Sequence, residues 1–288
     1  MKWVGWGAAA LVVLAWTAPV QCEPVKLWET TGVKTPKSAL PVPEGGFAYV
    51  SNISGDPTGK DGDGFISKVA LDDGKIIALK WATGLDAPKG MALANGRLYV
   101  ADIDQLVEID AETAKVVARY DAVGAKFLND VAADSEGRVY TSDSGTSTIW
   151  RLADGKFEKW LEDDALLNAN GLLAVDDKLI LAPWGKNRAD GSPEPAHLLE
   201  VSLKDKSVRT LGSGEPVGNL DGIEPFDASS FLVTDWMAGA LYRIHDSGRT
   251  ELLLDLDQGS ADIGYVPATR MVIIPMMKDD KLVAYRIE

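Results

Sequence analysis

Six short segments recur along this chain and constrain its fold more than any other feature. They are Pro36-Lys37-Ser38-Ala39, Pro88-Lys89-Gly90-Met91, Leu128-Asn129-Asp130-Val131, Ala169-Asn170-Gly171-Leu172, Leu220-Asp221-Gly222-Ile223 and Ala261-Asp262-Ile263-Gly264. Their leading polar residues stand at 37, 89, 129, 170, 221 and 262, separated by 52, 40, 41, 51 and 41 residues. A repeat of about 40 residues is the length of one propeller blade, a unit that buries its faces only by stacking on its neighbours.

Each segment is followed by strand-like runs. The second run is β-rich and ends on a small or acidic residue, as in Leu98-Tyr99-Val100-Ala101-Asp102 and Phe231-Leu232-Val233-Thr234-Asp235. The third alternates apolar and polar residues, as in Gln105-Leu106-Val107-Glu108-Ile109, the pattern of a half-buried strand. The fourth is short, as in Ala118-Arg119-Tyr120 and Glu158-Lys159-Trp160. Lys26-Leu27-Trp28 matches this fourth type, while the chain ends at Glu288 just after a third-type run. The N-terminal segment therefore supplies the missing outer strand of the last blade, which closes the ring and leaves no free edge. The expected fold is an all-β, six-bladed β-propeller. At 25% charged and 46% hydrophobic residues, with no linker-like stretch, the chain reads as one globular domain over 23–288.

Residues 1–22 stand apart. Lys2, the apolar run Val4 to Trp16 and the Pro-containing exit to Cys22 have the layout of a secretory signal peptide, which predicts a secreted or periplasmic protein. A retained membrane anchor and lipidation of Cys22 are the alternatives; Pro19 and Gln21 are poor neighbours for the latter. Cleavage after Cys22 removes the single cysteine, so the mature chain forms no disulfide and depends on packing and closure. Losing Lys2 takes the net charge from -14 to about -15. That balance argues against nucleic-acid or anionic-membrane partners, both of which need a basic face.

The two long steps mark insertions at Ser54 to Asp63 and Trp184 to Pro195. The first mimics a phosphate loop, but only three residues separate Gly55 from Gly59-Lys60 and Asp61 replaces the metal-binding Ser or Thr. It also echoes a calcium loop, yet Gly59 and Ala70 stand where the first and the closing bidentate ligands belong. A tight acidic turn into Phe65 is the simpler reading. The second is either a solvated connector or a lid that carries Lys186 and Arg188 toward an anion. Of the two histidines, His197 is expected on a strand and His245 in a turn, which gives no support to a nucleophilic triad or a zinc site.

In a propeller each connection into the next inner strand returns to the axis, so Lys37, Lys89, Asn129, Asn170, Asp221 and Asp262 are expected to converge there, with Asp130 adjacent. Asp and Asn oxygens suit a hard cation, and an Asp can take a proton from water. The same Asn/Asp-Gly pairs are also ordinary turn residues.

The segments at 88–91, 128–131, 170–172 and 221–223, each followed by its β-rich run, resemble the senescence marker protein-30/gluconolactonase family of six-bladed propellers over nearly the whole mature chain. The resemblance implies a lactonase-type hydrolase with an axial divalent cation, calcium for preference. It places the metal ligands at Asn170 and Asp221, with Asp221 as catalytic base and Asn129 as a substrate contact. Lys89 and Asp130 are taken as further substrate-positioning residues. The family's Glu ligand falls at or near Lys37, and no Glu occurs from Thr30 to Pro43; Asp262 is the carboxylate expected to compensate. The family's Arg two residues before the Asn of the Asn-Asp segment is Phe127 here. The alternative is a non-catalytic propeller for an anionic ligand or a protein partner, in which Lys37 and Lys89 pair with Asp221 and Asp262 across the channel.

Overall fold

The computed structural model describes Met1 and residues 23–288. The leader expected over 1–22 therefore lies almost wholly outside the described residues. Among the described residues twenty-four strands form six four-stranded antiparallel sheets arranged in sequence around an axis, a six-bladed β-propeller. Among the described residues no helix is long and apolar enough to cross a membrane.

Burial within a blade follows the strand sequences. The second strands, such as Arg97–Asp102 and Val139–Asp143, are buried almost throughout because blades pack on both of their faces. The outer strand Val116–Asp121 alternates half-buried and exposed residues, and its sequence VVARYD alternates accordingly. Core clusters lie between neighbouring blades: Tyr49, Leu85, Met91, Leu98 and Val107 join the first blade to the second, and Tyr140, Leu172, Leu181 and Val201 join the third to the fourth.

The ring closes as the terminal sequences require. Val25–Thr31 pairs antiparallel with Lys281–Arg286, so the N-terminal strand is the outer strand of the last blade. Trp28 lies under the turn of the first blade, donates from Nε1 to Leu71 O at 2.9 Å, and is followed by Thr30 Oγ1 donating to Gly74 O at 2.5 Å. A Cβ at Gly74 would lie 2.6 Å from the Trp28 ring, so this turn needs glycine for close approach as well as for its φ of +71°.

The acidic residue ending several second strands has a structural task. Asp102 accepts from the backbone N–H groups of Asp86 and Ala87, Asp143 from Lys126, Phe127 and Gly145, and Asp235 from Met237 and Ala238. Buried loop amides need partners, and these carboxylates supply them. They pin the connections that shape one mouth of the axial channel.

Register corrects the alignment of the last repeat. In the first blade Pro36 pairs with Asn52, the last residue of Phe47–Asn52; in the last blade Ser260 pairs with Met276, the last residue of Met271–Met276. The leading position of the sixth repeat is therefore Ala261, and Asp262 is equivalent to Ser38, Gly90, Asp130, Gly171 and Gly222. Successive strand residues face opposite ways, so one residue of shift moves Asp262 to the other side of the strand.

His197 and His245 exchange their expected places. His197 precedes the strand Leu199–Ser202, while His245 ends the strand Ala240–His245. Neither lines either of the two axial cavities described below.

Candidate functional site

Two tiers of side chains meet at the axis. The leading positions form one tier, in which Lys37, Asn129, Asn170 and Asp221 border a cavity of about 490 Å³. The following positions form the second tier, in which Asp130 and Asp262, with Glu224, border a separate cavity of about 260 Å³. Seven expected site residues thus divide into three environments, because Lys89 lines neither cavity.

In the larger cavity Lys37 Nζ donates to Asp221 Oδ1 at 2.6 Å, a buried ion pair between the first and fifth blades. Burial alone disfavours the Lys37 ammonium, but Asp221, Asp262 and Asp130 outweigh it and hold Lys37 above the ordinary lysine range. Burial pushes the Asp221 carboxyl up, and the Lys37 charge pulls it back.

The two asparagines have fixed orientations. Asn170 Nδ2 donates to Leu220 O at 2.9 Å, and a carbonyl can only accept. Asn129 Nδ2 donates to Ser144 Oγ at 3.2 Å, whose own proton goes to Ala169 O at 2.8 Å. Neither amide can flip without breaking these bonds. Both Oδ1 atoms are left buried and without a partner among the described residues. An unsatisfied buried acceptor costs about 1–3 kcal/mol, so each calls for a donor from outside the protein. Lys37, with three N–H groups and one bond to Asp221, has two donors unspent among the described residues.

Walls come from the connections. Trp184 and Trp236 meet edge to face at 5.9 Å, and Phe127, Pro57 and Met277 complete an apolar rim. Ser144, Trp184, Trp236 and Met277 each immediately follow a second strand. The strand ending was visible in the sequence; that the next residue faces the mouth was not.

Lys89 is buried behind this rim. Its Nζ donates to Pro57 O at 2.8 Å and Ala87 O at 3.0 Å and sits 4.5 Å over the Phe127 ring. Burial lowers it to about 7, a shift that the nearby Lys37 charge also favours and that Asp102 opposes. The expected pairing of Lys89 with Asp262 is corrected: Lys89 fastens the first insertion over the cavity. That insertion is the tight acidic turn, with Asp61 Oδ1 accepting from Asp63 N and Gly62 N donating to Asp86. The lid reading of Arg188 is also corrected, since its guanidinium turns back onto Ser192 and Pro193 O. Asn187 and Trp184 are the cavity residues of that insertion.

On the second tier Asp130 Oδ2 accepts from Leu172 N at 2.6 Å and Oδ1 from Val131 N at 2.7 Å. A Cβ at Gly90 would fall 2.2 Å from Asp130 Oδ1, so the glycine gives the carboxyl its place. Asp262 pairs with Ser38 in a parallel bridge, and burial raises its carboxyl to about 6. Burial and the Asp262 charge push Asp130 well above the carboxylate range. Asp130 therefore borders the smaller cavity as a backbone-bound acid, apart from Asn129, Asn170 and Asp221.

The expected cation set does not fit together. Asn170 and Asp221 share the larger cavity, Asp262 does not, and among the described residues no group of three or more His, Cys, Asp or Glu is placed to hold a metal. The oxygens that do converge carry one carboxylate charge, already neutralised by Lys37. Two unit charges 4 Å apart interact by about 4 kcal/mol at an effective permittivity of 20, so Lys37 repels a nearby divalent ion by roughly 8 kcal/mol and offsets what Asp221 would contribute at the same distance.

The fold and this site define a six-bladed propeller with a cavity of about 490 Å³ on its axis. No family model and no curated protein matches the chain. Among solved structures it is similar to a gluconolactonase from Xanthomonas campestris, at 14% identity over 93% of this chain and 96% of that one, TM-score 0.65. It is similar to a virginiamycin B lyase from Staphylococcus aureus, at 13% identity over 90% and 98%, TM-score 0.63. A streptogramin B lyase matches at 13% identity over 92% and 97%, TM-score 0.63. At such identities the likeness establishes the shared propeller fold, and chemistry must be argued from the side chains.

Proposed function

We propose that the protein is a hydrolase of the lactonase or carboxylic-ester type, acting on a small molecule in the 490 Å³ axial cavity and exported by its leader. The observation that carries this reading is the convergence of two locked, unpartnered amide oxygens with the Lys37-Asp221 pair on one ligand-sized cavity. Asn129 and Asn170 accept hydrogen bonds from substrate hydroxyls or from the attacking water. Among the described residues Asp221 is the only carboxylate bordering this cavity, and it is the base that takes the water's proton. Trp184, Trp236 and Phe127 give the cavity an apolar wall against which a substrate's carbon skeleton packs. The gluconolactonase among similar folds is consistent with this chemistry, and the lyases show that the same architecture serves other reactions.

The test is a pH-indicator screen of purified protein against sugar lactones and simple carboxylic esters, with Asp221→Asn and Asn170→Ala alongside. Turnover that falls at least a hundredfold in Asp221→Asn supports the proposal. Hydrolysis no faster than the buffer blank across the panel would sink it. A second reading is favoured by one contact: Asp221 is already neutralised by Lys37, as in a receptor that binds anions without turnover. Calorimetric binding of carboxylates with no product formed selects that reading.

A further inference from the structure

We infer that Lys37 is the resident cation of the axial site and acts as its electrophile, so that the chain's hydrolysis needs no divalent metal. This rests on the hydrolase reading above for its catalytic half, while its binding half stands on geometry alone.

Lys37 comes from the inner strand Pro36–Val42 and borders the larger cavity. Its ammonium is held by one carboxylate and retains two N–H groups without a partner among the described residues. Fully spent donors would make a structural pair; unspent donors at a ligand-sized cavity are what a developing oxyanion requires. The base is the same carboxylate that anchors the ammonium, which places electrophile and base side by side. Asn170 is held on the neighbouring blade, and its free Oδ1 supplies the acceptor that orients a water or hydroxyl.

In the step this arrangement allows, a water oxygen attacks the substrate carbonyl carbon while Asp221 takes one water proton. The carbonyl oxygen becomes an oxyanion bonded by Lys37 N–H, and Lys37 keeps its proton throughout. The carbonyl C–O single bond then breaks, and the leaving alkoxide takes the proton from Asp221. One ester and one water give one acid and one alcohol, and one lactone and one water give one hydroxy acid, with no redox change and no added co-reactant.

The experiment compares the parent with Lys37→Met, Lys37→Arg and Lys37→Glu, each checked for folding by circular dichroism and melting. Each is measured for metal content, melting temperature with calcium or EDTA, and kcat and KM on the best substrate. The parent is expected to hold less than a tenth of a metal equivalent and to be unmoved by calcium or EDTA. Lys37→Met should lose about 100- to 1000-fold in kcat with KM changed far less, the scale of losing one oxyanion donor, and Lys37→Arg should recover part of it. Lys37→Glu should gain a calcium-dependent rise in melting temperature. Stoichiometric calcium in the parent overturns the inference, as does full activity in Lys37→Met. If no substrate turns over, the electrophile role falls with the hydrolase reading, and the calcium titrations of the parent and Lys37→Glu still decide whether Lys37 fills the cation position.

Discussion

Breaking the Lys37-Asp221 pair is the most direct physical probe of the axis. Both side chains are buried, and the bond joins blades whose residues are 184 apart in sequence. Removing one partner leaves a buried charge without compensation, which costs about 3–5 kcal/mol, whereas replacing both by apolar groups is often neutral or stabilising. Either Lys37→Met or Asp221→Leu alone should therefore consume a large share of a typical stability of roughly 5–15 kcal/mol. At about 2–4 °C per kcal/mol for a chain of this size, melting should drop by about 6–20 °C. The double variant should return close to the parent, giving a coupling energy of several kcal/mol. Urea unfolding followed by tryptophan fluorescence, analysed as a double-mutant cycle, measures this. Losses that simply add, with the double variant worse than either single, would refute the claim that these charges depend on one another.

Three further perturbations address the surroundings. Burial chiefly, with the Asp262 charge adding, pushes Glu224 up to about 8. A carboxyl raised on folding contributes stability that is fully present below its unfolded value near 4.5 and is lost as pH rises through about 8. Glu224→Gln should therefore flatten the fall in stability between pH 4.5 and 8 and exceed the parent by about 1–3 kcal/mol at pH 8.5, read from urea midpoints. Lys89→Met removes the ammonium that holds Pro57 O, so trypsin should cut after Lys60 several-fold faster with little change in global melting. Gly171→Ala would set a Cβ 1.9 Å from Asp221 O, forcing the fourth and fifth blades apart at the axis. A loss of about 2–4 kcal/mol is expected, together with weakened ligand binding in calorimetry.

Much of this architecture was legible because a propeller is quasi-repetitive. A blade cannot bury both faces alone, so the chain must repeat its strand pattern, and the repeat shows in the residues at 37, 89, 129, 170 and 221. Closure was legible as well, since Lys26-Leu27-Trp28 is the one outer-strand pattern lying before the first blade. The sixth repeat was misread by one residue because Ala261 carries no polar signal and Asp262 does. Backbone pairing of Ser260 with Met276 settles the register, and pairing is a tertiary property. Similarly, a sequence can show that Lys89 leads a repeat, but not that its Nζ finds Pro57 O from an insertion 32 residues away.

The sequence by itself determined the six blades, the closing strand and the polarity of the axial positions, because alternation, turn residues and repeat spacing are local properties of a chain. Tertiary structure alone decided what those positions do. Whether an axial carboxylate meets a lysine, a backbone amide or another acid depends on which blades face each other across the channel. Asp221 meets Lys37 at 2.6 Å, Asp130 meets Leu172 N at 2.6 Å, and the Asp262 charge acts on Asp130. Three similar residues in similar segments thus acquire three different electrostatic states, because in a buried channel the nearest charge, more than the residue type, sets the state of each group.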